Sequence, residues 1–133
     1  MNRMIGRGAL QQYQQIGVQS SIMDATPHRL VQMLFEGALD RIAKAKGAVI
    51  RGEILDKCRY IDAAMSIVDS LSGSLNLDAG GEVANNLAAL YDYIGRRLFQ
   101  ANVENSALIL DEVSNLLSQI KEGWDGIEYR EYS

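Results

Sequence analysis

Apolar residues recur along this chain at intervals of three and four, the spacing that keeps them on one side of a 3.6-residue helix. Between Thr26 and Gly52 the stripe runs Leu30, Leu34, Ala38, Ile42, Ala45 and Val49. Thr26 followed by Pro27 is a strong helix start: a threonine N-cap accepts a bond from an orphan amide, and proline at the first position has no amide to leave unpaired. The spacing predicts a first helix from Pro27 to just before Gly52. A second begins near Glu53 with Ile54, Cys58, Ile61, Met65 and Val68, and Leu71 and Leu75 continue its face. Asn76 to Gly81 breaks the pattern. Gly80 and Gly81 supply backbone freedom there, and Glu82 places negative charge at the start of a new helix, where it is favoured. The third stripe is Val83, Leu87, Leu90, Ile94, Leu98 and Ala101; the fourth is Leu110, Val113, Leu117, Ile120 and Trp124, with Asn105 the expected cap between them. No strand-like alternation competes.

Four amphipathic segments of similar length with short connections favour an all-α fold, an antiparallel up-down four-helix bundle. Residues 25–125 make up the bundle in this reading. The preceding residues, 1–24, are Gln-rich and thin in large apolar side chains, with Ala9, Tyr13 and Ile16 at helix-like spacing and Leu10 beside them. A stretch of this kind is marginal as an isolated helix, so a flexible N-terminal arm, or a short extra helix ordered by docking, is expected. Residues 126–133 lose the period and carry mixed charge, the pattern of a disordered C-terminal tail.

Further apolar residues lie off the first stripes: Met33, Phe35, Ile67, Tyr91, Tyr93, Phe99, Ile109 and Leu116. A seam needs only about three or four apolar positions per two turns. The surplus reads as a second apolar face on several helices, and a contiguous exposed apolar patch marks a partner surface. A groove of that kind suits an unfolded or partly folded polypeptide better than a small molecule, because no set of polar catalytic groups converges on it.

Composition then removes alternatives. The chain has 133 residues, enough for one core. Hydrophobic residues make up 47%, yet no apolar run reaches the ~20 residues that cross a bilayer, so membrane insertion is not expected. Arg3 and Arg7 precede no apolar run of the signal-peptide kind, which makes cytoplasm the expected compartment. A net charge of -4 repels polyphosphate, making nucleic acid a poor partner. Cys58 is the one cysteine and reads as a small buried hydrophobe. With His28 the one histidine, neither a dinuclear carboxylate site nor a four-ligand zinc site can be assembled, and no cofactor is expected. Gly80 and Gly81 lack the preceding strand and following lysine of a phosphate cradle. The alternative class is a histidine phosphotransfer signalling bundle. Its phosphoacceptor would stand exposed in mid-helix, whereas His28 lies in a first turn. A purely structural coiled-coil oligomer is disfavoured by the short turns, which let one chain bury its own faces.

Three blocks carry a family resemblance. Residues 25–42, ATPHRLVQMLFEGALDRI, resemble the signature start of the flagellar export chaperones called FliS. Residues 80–102, GGEVANNLAALYDYIGRRLFQAN, are similar to that family's third-helix signature, and residues 112–124, EVSNLLSQIKEGW, to its closing helix. With Tyr13 in the arm, the resemblance extends from about Leu10 to Trp124. It implies a non-enzymatic cytoplasmic chaperone that binds the C-terminal region of unassembled flagellin, prevents premature polymerisation and assists delivery to the flagellar type III export gate. It also implies that the bound segment forms an extended, partly helical belt on apolar grooves. An apolar residue and a tyrosine of the family's arm affect flagellin binding; Leu10 and Tyr13 match them. Tyr91, Ile94 and Leu98, on the third-helix block, are the candidate groove residues. Gly95 and Gly123 depart from the family pattern, in which larger residues are common, and each costs ~1 kcal/mol relative to alanine in a helix.

Overall fold

The computed structural model describes residues 25–132, with the backbone alone at 77–79 and 128–132. The arm, with Leu10 and Tyr13, lies outside the described residues. Four helices follow in order: α1 (Pro27–Arg51), α2 (Ile54–Gly73), α3 (Leu77–Glu104) and α4 (Ala107–Tyr132). Their ends are set by local chemistry. Thr26 Oγ1 accepts from the Arg29 amide at 3.1 Å, and Pro27 opens α1. Gly52, at φ 73°, closes it in the left-handed region, and the Glu53 amide reaches back to Ala48 O at 2.9 Å. Those paired reverse bonds satisfy carbonyls the helix would otherwise leave open.

The expected break before the third helix is sharp. Gly81 holds φ 56° and ψ -131°, a conformation strained for a residue bearing a Cβ, and it separates a first turn from the main body of α3. The joint between α3 and α4 divides its labour differently from the expectation. Asn105 takes the left-handed position at φ 52°, which ends α3, while Ser106 Oγ caps α4 by accepting from the Ile109 amide at 3.1 Å. The backbone of α4 also stays helical through Tyr132, past Trp124 where its apolar period ends. Loss of amphipathicity removes a reason to pack, but it breaks no backbone hydrogen bond.

Each helix packs on two neighbours, α1 on α2 and α4, and α3 on α2 and α4. Cross-links show the antiparallel sense. His28 at the start of α1 meets Trp124 late in α4, while Lys46 near the end of α1 pairs with Asp111 near the start of α4. Lys57 at the start of α2 reaches Asn102 and Asn105 at the end of α3. The core threads all four helices through Leu34, Phe35, Ile61, Leu71, Ile94, Leu98, Leu110 and Leu117.

Having two neighbours widens the apolar arc that each helix must bury, and this corrects the inferred second face. Met33, Phe35, Ile67, Tyr91 and Ile109 belong to the core, and Leu116 packs against it. Of the off-stripe set, Phe99 alone stands well out, 60% exposed. Conversely, Ile54 and Val83, placed on inner stripes by their spacing, are 50% and 69% exposed.

Candidate partner-binding grooves

Two concavities stand out among the described residues, and Tyr91 lines both. The first, about 610 Å³, lies between α2 and α3, with Met65, Val68 and Ser72 facing Gly95 and Phe99. Asp69, Asp92 and Arg96 form its polar edge, Arg96 and Asp92 pairing at 3.2 Å. The second, about 670 Å³, opens between the start of α3 and the end of α4. Val83, Ala84 and Leu87 form one wall, and Ile120, Gly123, Trp124 and Ile127 the other. Val31 and Phe35 of α1 lie beneath, and Leu75 closes the α2 side. Its lining is mostly apolar; Ser74, Asn76 and Gln119 are its polar side chains, and Tyr91 and Trp124 add a hydroxyl and an indole N–H.

Trp124 stands in the second groove because α1 holds it there. Its Nε1–H donates to the His28 carbonyl at 3.0 Å, and His28 Nε2 lies 2.8 Å from the Trp124 carbonyl, the geometry of a donated N–H. The two rings stack with centroids 4.7 Å apart and planes 10° from parallel. A reciprocal clasp thus closes the end of α4 on the first turn of α1. His28 is 4% exposed, so the imidazole a phosphotransfer domain would present to its donor is instead folded under an indole.

Next to the clasp, Gln32 donates to Asp125 Oδ1 at 2.7 Å and Lys121 to Oδ2 at 2.8 Å. Burial pushes the Asp125 carboxyl up, but these two donors outweigh it and leave the group below its ordinary value. On another side of α3, Tyr93 donates to Glu112 Oε2 at 2.5 Å and Arg97 to Oε1 at 2.9 Å. The Tyr93 hydroxyl and the guanidinium hold the Glu112 carboxyl low. Both networks tie neighbouring helices together. Burial raises the Tyr91 phenol to about 12, so it enters the grooves as a neutral hydroxyl.

The candidate residues therefore separate. Tyr91 lies at the junction of the grooves, whereas Ile94 and Leu98 are fully buried and support α3 from within. Sequence reasoning passed over Val31, Ala84 and Ile127 and placed Leu75, Val83, Leu87, Ile120 and Trp124 on inner stripes. Their apolar character was the available signal. Nothing in the spacing marks where a groove opens between α3 and α4. Among the described residues, no cluster of His, Cys, Asp or Glu could hold a metal ion, and no helix is long and apolar enough to cross a membrane.

Comparison with known proteins covers the same span. Residues 9–131 match the family profile described as flagellar protein FliS. The chain is 44% identical over 126 residues to flagellar secretion chaperone FliSB of Pseudomonas aeruginosa, covering 95% of this chain and 100% of that relative. It is 40% identical to flagellar secretion chaperone FliS of Salmonella typhimurium, over 93% of both chains. With the Bacillus subtilis protein of the same name the identity is 33%, over 80% of this chain and 78% of the relative.

Proposed function

The chain belongs to the flagellar protein FliS family, and from that membership and its two grooves we propose that it is a chaperone for the C-terminal segment of unassembled flagellin. The observation carrying the proposal is the apolar groove between α3 and α4, walled by Leu87, Ile120 and Trp124. It offers desolvation without a convergent nucleophile, acid or base, which is what capture of an apolar polypeptide face requires. In this reading the chain catalyses no reaction. It works in the cytoplasm, keeps the segment from polymerising, and passes it to the export gate.

Magnitudes favour several contact places. Ordering a residue costs ~1–2 kcal/mol of backbone entropy, and fully burying a large apolar side chain returns ~1.5–3 kcal/mol. One groove seats only a few side chains, so a bound segment is held by both grooves together with its own helix formation. Leu10 and Tyr13 of the arm belong to the same proposed contact set, as do Tyr91 at the junction and Ile94 and Leu98 as its internal support.

Isothermal titration of the flagellin C-terminal segment into the full chain tests this. Micromolar or tighter binding is expected, weakened at least ~10-fold by Ile120→Asp, since an aspartate in an apolar contact must be desolvated. Tyr13→Ala is expected to weaken binding with far-UV helicity unchanged. A folded chain showing no heat and no complex at micromolar concentration would refute the assignment.

A further inference from the structure

Glycine inside a helix is disfavoured against alanine, because it gives up more backbone freedom on folding and packs no side chain. Interior glycines therefore need a reason, most often a neighbour too close to admit a Cβ. Gly80 has one: a Cβ there would stand 2.5 Å from that of Ala84. Gly95 and Gly123 have none among the described residues. A Cβ added at either position would meet no atom of the described residues within 4 Å, and neither holds a left-handed φ.

Both positions nevertheless lie in groove walls. Gly95 falls among Tyr91, Asp92, Arg96 and Phe99 of α3 where they line the first groove. Gly123 falls among Ile120, Trp124 and Ile127 of α4 where they line the second. Each leaves its place in the groove wall without a side chain, a notch in that wall. Gly126 is the useful contrast, equally open but lining neither groove.

We propose that Gly95 and Gly123 are specificity-determining positions, kept free of a side chain so that a large apolar residue of the bound flagellin segment seats over each notch. The inference rests on the groove reading above and deepens it. It accounts for two glycines that the isolated bundle does not require, and it selects a segment whose bulky apolar residues face the walls of α3 and α4. Filling a notch forces the segment outward and strips contacts from its whole neighbourhood, since close-packed surfaces cannot absorb an added methyl without a shift.

The test uses the full chain with Gly95→Ala, Gly123→Ala and Gly126→Ala, measuring thermal unfolding and titration with the flagellin C-terminal segment. All three substitutions are expected to raise the unfolding midpoint, by roughly 3 to 6 °C each, because alanine is the better helix former and meets open space. Gly95→Ala and Gly123→Ala are expected to weaken binding roughly 10-fold, while Gly126→Ala leaves it unchanged. This opposition of signs separates the proposal from a structural role, under which stability and binding would fall together. If the unmodified chain binds and both notch variants bind equally well, the notch proposal is overturned while the groove reading stands. If the unmodified chain does not bind, the groove reading fails and takes the proposal with it.

Discussion

Replacing His28 with alanine tests whether the clasp on Trp124 holds the bundle closed at its groove end. The substitution removes the 2.8 Å hydrogen bond from Nε2 to the Trp124 carbonyl and the stacked ring contact at 4.7 Å. The indole bond to the His28 carbonyl survives, since its acceptor is backbone. A net hydrogen bond contributes about 0.5–1.5 kcal/mol, and a stacked pair adds about 0.5–1.5 kcal/mol beyond its area. Small offsetting relief comes from Nδ1, which is buried with no hydrogen-bond partner among the described residues. The expected loss is about 2 kcal/mol, measured as a lower urea midpoint at constant slope. Trp124 is the sole tryptophan, so its emission reports this joint and far-UV dichroism the whole bundle. His28→Phe keeps the stack without the hydrogen bond and should fall about halfway. A His28→Ala protein within about 0.5 kcal/mol of the parent would refute the reasoning, because ordinary surface changes do no more.

Tyr91 predicts an alkaline limit. Its phenol titrates near 12 in the fold against 10.0 ordinarily, so the stability it contributes is whole below pH 10 and disappears as pH climbs to 12. That loss amounts to roughly 2–3 kcal/mol, and Tyr91→Phe should flatten this limb of urea midpoint against pH; an equally steep limb in the variant would assign it to other groups. Lys57 is buried, donating to Asn102 O at 2.8 Å and Asn105 Oδ1 at 2.5 Å, where its charge also meets the negative end of α3. Lys57→Met should cost roughly 1.5–3 kcal/mol in denaturant unfolding, while Arg59→Met on the exposed face stays within about 0.5 kcal/mol; equal costs would remove the special status given to Lys57.

The helix ends and the family were legible in one dimension because both depend on near neighbours in the chain. Thr26 with Pro27, the stop at Gly52 and the break at Gly81 act through amides a few residues away, and the structure places all three as their chemistry dictates. The period of three and four likewise specifies the direction in which a side chain leaves its helix. It does not specify what stands opposite. Ile94 and Leu98 disappear into the core while Phe99, next to Leu98, faces out. Val83 shares a stripe with them and is exposed, on the wall of the groove between α3 and α4. The clasp between His28 and Trp124 joins residues 96 positions apart, and no local preference of either residue encodes it. Caps and periodicity are short-range energies written along the chain, whereas burial, grooves and notches arise from the relative placement of whole helices and exist only once all four have packed.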